Sequence, residues 1–172
     1  MFDVPDTYSQ PAYVQQMTDQ ELIDYYFDHG ANWLRERGLV IKEPTVSIDD
    51  YTHGVDGAYA AVYPHNADVQ VSTTMMRDLR GLQSERVRAM KTVLHELLHI
   101  ANGEASEGQT EAVAWDMHKR FARAMGEATK HVRLRPTYFW ETQAVRIATD
   151  CGDGWWKQCA RQAREQTFLR GG

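Results

Sequence analysis

The stretch "SERVRAMKTVLHELLHIANG", residues 84 to 103, constrains this chain more than any other. Val87, Met90, Leu94, Leu97, Leu98 and Ala101 recur at the spacing of one helical stripe, with Ser84 as a candidate N-cap and Asn102-Gly103 as a stop. The polar, Gly-containing "EASEGQ" then makes a short connection, and "TEAVAWDMHKRFARAM" returns to helical period until Gly126. Two helices joined so briefly are expected to fold back and pack together. On the first of them, away from the apolar stripe, His95, Glu96 and His99 spell H-E-x-x-H.

That spacing carries chemistry. Residues i and i+4 on a 3.6-residue helix lie within about 40° of each other, so both imidazoles can reach one ion. Zinc accepts neutral imidazole nitrogens, and a catalytic site needs three protein ligands with a fourth position left for water. Glu96, one residue after His95, is placed to take that water's proton rather than to bind the metal. With 7 His and 11 Glu in 172 residues, the pattern is expected by accident only about 0.02 times. The third ligand is expected on the helix that folds back, at Glu111, because ligands on rigid elements are held better than ligands in loops. Glu104 and Glu107, read as part of the connecting loop, are its competitors. His118, seven residues after Glu111 on the same face, can support the ligands, replace Glu111 or cap a core edge.

Upstream, Thr18 followed by Glu21 forms a capping box, and Leu22, Ile23, Tyr26, Phe27, Trp33 and Leu34 keep helical spacing up to Gly38, so a helix is expected from about Asp19 to Arg37. Three β-type runs follow, "LVIKEPTVSID", "GAYAAVYP" and "ADVQVST", separated by turn residues. They suggest a small antiparallel three-stranded sheet packed on the H-E-x-x-H helix, with the alternation in "ADVQVSTT" marking an edge strand or a strand packed on one face. Beyond Glu127, "HVRLRP" reads as extended, while "TYFWETQAVRIAT" and "GWWKQCARQAREQTFL" read as helices. The fold class is α+β in a single domain over 1–172, with a core at about 18–126 and a helical, basic extension at about 127–172.

Charge is unevenly spread: residues 1 to 118 carry 8 basic and 19 acidic side chains, residues 119 to 172 carry 11 and 5. Basic helix faces beside an acidic body account for this, and an acidic partner such as nucleic acid is the sharper alternative. Cys151 and Cys159 do not have metal-ribbon or redox-motif spacing and are expected as reduced thiols. No apolar run is long enough to cross a bilayer and the N-terminus lacks an export pattern, so a cytosolic location is the default expectation.

The order helix, three strands, H-E-x-x-H helix and glutamate-bearing helix resembles the zincin metallopeptidases. It is most similar to the minimal gluzincin core of ImmA/IrrE-type and related small, often phage-encoded peptidases, over roughly residues 18 to 126. The resemblance implies zinc held by His95, His99 and Glu111, with Glu96 as general base, acting on a protein or peptide substrate aligned along an edge strand. An oxyanion stabiliser is then expected from His118, His131 or Tyr138. Two alternatives are a zinc-stabilised structural or binding protein without peptidase activity and a nucleic-acid-associated protease.

Overall fold

A computed structural model describes residues 11–135 apart from 53, 54 and 57, and the side chains of 51–57 are likewise outside the description. The two C-terminal helices expected from sequence, Tyr138 and both cysteines lie outside the described residues. A short helix α1 (Ala12–Gln15) leads into α2 (Asp19–Glu36). Thr18 and Glu21 make the expected capping box: the Thr18 side chain accepts from Glu21 N–H at 3.2 Å while Glu21 accepts from Thr18 N–H at 3.1 Å. The helix ends at Gly38, whose φ of 92° allows the Schellman pattern Gly38 N–H to Arg35 C=O and Leu39 N–H to Leu34 C=O.

The strands are β1 (Thr45–Ile48), β2 (Tyr51–Thr52), β3 (Val55–Asp56), β4 (Ala60–Tyr63) and β5 (Asp68–Val71). The three-stranded sheet is mixed rather than antiparallel, in the order β1-β5-β4. β4 and β5 are antiparallel across a tight turn, but β1 runs parallel to β5, with Val46 opposite Val69. The cause is the segment after β1, which forms its own two-stranded ribbon, β2 with β3, instead of returning along β1. β5 therefore takes the centre, with Val69 and Val71 fully buried, and the expectation of an edge strand at "ADVQVSTT" is corrected: the edges are β1 and β4. The end of that run is not strand either. Ser72 caps a helix α3 (Thr73–Leu79), which buries Met75, Met76 and Leu79.

The H-E-x-x-H helix, α4 (Gln83–Ala101), is largely buried, with Arg86, Lys91, His95, Glu96 and His99 buried along with its apolar stripe. It starts one residue before Ser84, and Glu85 reaches back to the Leu82 N–H at 3.0 Å. α2 crosses it at Gly30, where a Cβ would lie 2.8 Å from Leu97 Cδ1 and 3.1 Å from Val93 Cγ1. α5 (Glu107–Ala124) packs antiparallel along another side. At the far end of that pair Glu127, just past α5, binds Arg86 near the start of α4 through two contacts of 2.7 and 2.8 Å; the Arg86 side chain is 5% exposed and that of Glu127 0%. No helix among the described residues is long and apolar enough to cross a membrane.

Removing one partner of such an enclosed pair strands the other charge. Arg86→Met is expected to cost about 3 to 5 kcal/mol in urea denaturation. Arg86→Met combined with Glu127→Leu should recover most of that, and an Arg86→Met protein as stable as the parent would refute the role assigned to the pair.

Candidate metal centre

α4 brings His95 and His99 onto one face, one turn apart, with their rings edge to face at 4.7 Å between centroids and their Nε2 atoms 3.1 Å apart. α5 supplies the carboxylates opposite. It begins at Glu107 because Ser106 and Gln109 form a capping box, the Ser106 side chain accepting from Gln109 N–H and Gln109 from Ser106 N–H. Glu107 is thus the first residue of a helix and not part of the loop. Its two oxygens divide between the rings, Oε2 at 2.9 Å from Nε2 of His95 and Oε1 at 2.9 Å from Nε2 of His99. One donor atom from each of His95, His99 and Glu107 lies within 4.8 Å of the others.

Glu111, the carboxylate expected on that spot, lies one turn further along α5 on the other side of the imidazole. One of its oxygens contacts Nδ1 of His95 and the other contacts the Lys91 ammonium. Glu111 is 1% exposed whereas the Glu107 side chain is 62% exposed, so the two carboxylates differ in chemistry: one is locked in the helix interface, the other faces the opening. Glu104 is exposed in the connection and does not join the cluster.

The charges reinforce this division. Burial pulls the His95 pKa down, but its hydrogen bonds to Glu107 and Glu111 outweigh burial and lift it to about 10. Hydrogen bonds from both imidazoles hold Glu107 far below the ordinary carboxylate range. Burial pushes Glu111 upward, yet His95 and Lys91 bring it below its usual value. Two imidazole nitrogens and a carboxylate oxygen this close together form a group that could hold a positive charge, whether proton or metal ion.

Beside the cluster opens a cavity of about 360 Å³. Glu96, His99 and Glu107 line one side, Ala60, Ala61, Val62 and Pro64 of β4 and its turn line another, and Gly103 and Ala105 of the α4–α5 connection complete it. Gly103 is tight against the β4–β5 turn, since a Cβ there would come within 3.0 Å of Pro64 Cβ. Glu96 is 6% exposed, and its pKa is raised by burial against the opposing pull of the two histidines.

The expected oxyanion stabilisers are not brought to this cavity. His131 is exposed and does not line it, and Tyr138 is outside the described residues. His118 is buried on α5, its Nδ1 on the Trp115 carbonyl and its Nε2 without a hydrogen-bond partner among the described residues. Sequence reasoning did not single out Lys91, and it placed Glu107 in the connecting loop as a competitor of Glu111, although Ser106-x-x-Gln109 is the pattern that starts a helix there. Comparison with protein-family models, curated proteins and solved structures finds no match to this chain.

Burial lowers the His118 pKa to about 4. A histidine titrating lower when folded than when unfolded favours folding above about pH 6.5, and this contribution is lost as pH falls toward 4. His118→Leu should therefore flatten the decline of the melting temperature between those pH values relative to the parent. Parallel declines in the two proteins would show that His118 is not the group responsible.

Proposed function

We propose that this chain is a zinc-dependent peptidase in which His95, His99 and Glu107 hold the ion and Glu96 is the general base. The observation that carries the reading is the convergence of the three donors beside a cavity into which Glu96 also opens. The donor set fits the ion: two imidazole nitrogens and one carboxylate leave a coordination position free, and the exposed side of Glu107 faces solvent. Glu111 adds to the fit, since a carboxylate on Nδ1 of His95 keeps the proton on that nitrogen and turns the Nε2 lone pair toward the site. Bound there, zinc would supply Lewis acidity, making a water nucleophilic near neutral pH and polarising a carbonyl.

The remaining work falls to the chain itself. Glu96, with a pKa raised by burial, accepts the proton of the attacking water and returns it to the departing amine, so that one carboxylate serves as base and then as acid. β4, which has β5 on one edge and no strand on the other among the described residues, offers backbone groups to an extended peptide. Its Ala60 and Ala61 leave room for that peptide above the cavity floor.

Two experiments test this. The purified chain should carry about one zinc ion; Glu107→Ala should lose most of it, Glu111→Ala should weaken affinity about 10- to 100-fold, and Glu104→Ala should change nothing. A metal-free parent prepared without chelators would remove the proposal. Glu96→Gln should keep its zinc and melting temperature while cleavage of a degenerate fluorogenic peptide library falls by about 10² to 10⁴. If parent and variant are equally inactive, and zinc removal unfolds both, the ion serves folding instead.

A further inference from the structure

Lys91 lies one turn before His95 on α4 and is 2% exposed. A buried ammonium is costly, and a methionine of similar length would fill the same interface without that cost. Its surroundings suggest what it does. The ammonium contacts Oε1 of Glu111, whose Oε2 contacts Nδ1 of His95, and it sits 4.9 Å from the centre of the Trp115 ring. The two oxygens of Glu111 are thus shared out, one to a fixed cation on the same helix as the histidine, the other to the histidine itself.

We propose that Lys91 is a positioning residue of the metal centre: by holding one oxygen of Glu111 it keeps the other on Nδ1 of His95, so that Nε2 faces Glu107 and His99. This rests on the reading that His95, His99 and Glu107 bind metal. The same contact explains why two carboxylates one helical turn apart act differently. Glu111 is tied to a cation inside the interface, while Glu107, which has no such tether among the described residues, turns to the Nε2 side. The link from Lys91 to the ligands runs through Glu111, which contacts both the ammonium and Nδ1 of His95.

A double-mutant cycle on the full chain tests the inference, using Lys91→Met, Glu111→Gln and the two combined. Zinc affinity is read by competition with a chromophoric chelator, and the His95 Nδ1–H by ¹⁵N NMR of the zinc-loaded protein. Lys91→Met should weaken zinc about 10- to 100-fold in the parent and by less than about threefold in the Glu111→Gln background, with the His95 Nδ1–H signal of the zinc-loaded protein moving from its hydrogen-bonded position. Should Lys91→Met not fold, Lys91→Leu, which likewise removes the donor to Glu111, takes its place in the same cycle. Parent-like affinity in the lysine variant overturns the inference and leaves the metal reading intact. So does an equal loss in both backgrounds, the mark of a general packing defect. A parent that binds no zinc overturns both.

Discussion

The polar chemistry of this fold depends on α4 and α5 lying antiparallel in direct contact. In that arrangement, residues later on α5 meet residues earlier on α4, and a ladder of charges follows: Glu107 at His99 and His95, Glu111 at His95 and Lys91, and past the helix end Glu127 at Arg86. Each rung matches an acid from one helix, or the chain just beyond it, to a base from the other. A shift of one turn would leave several buried charges without partners, at a cost larger than most apolar mispackings. The offset of the two helices is therefore set by electrostatics as much as by the apolar side chains between them.

The rest of the fold keeps that pair in place. α2 can press onto α4 closely because Gly30 has no side chain to hold them apart. α3 is tied to the strand layer, with Tyr59 donating to Asp78 at 2.7 Å and Asp50 accepting from the Thr73 N–H and hydroxyl. The sheet is small, yet it supplies one wall of the cavity, and the close contact of Gly103 with Pro64 fixes the distance between that wall and the α4–α5 connection.

Elements set by local physics were legible. The Thr18–Glu21 box and the Gly38 stop lie within a few residues of the helix they bound, and the period of Val87 to Ala101 needs no distant partner to be read. The imidazole pair follows from helix geometry alone. The order of the strands was not legible, because pairing β1 with β5 across three intervening strands is a non-local choice that no short stretch records. The α3 helix was masked by "VSTT", whose β-branched residues favour extended structure until Ser72 caps the turn. Glu107 and Glu111 are four residues apart and share a face, so either satisfies the pattern of a ligand on a returning helix. Which one reaches Nε2 depends on the offset between α4 and α5, which is a property of the packed pair.

Glu107 occupies the first turn of α5, while Glu111, Lys91 and both imidazoles are seated deeper in the helix pair. First turns open locally at a small fraction of the free energy needed to unfold a helix. In the proposed metal site, Glu107 on that turn would release and rebind while the histidines keep their orientation, so exchange of an ion there would follow fraying of one helix end and not global unfolding.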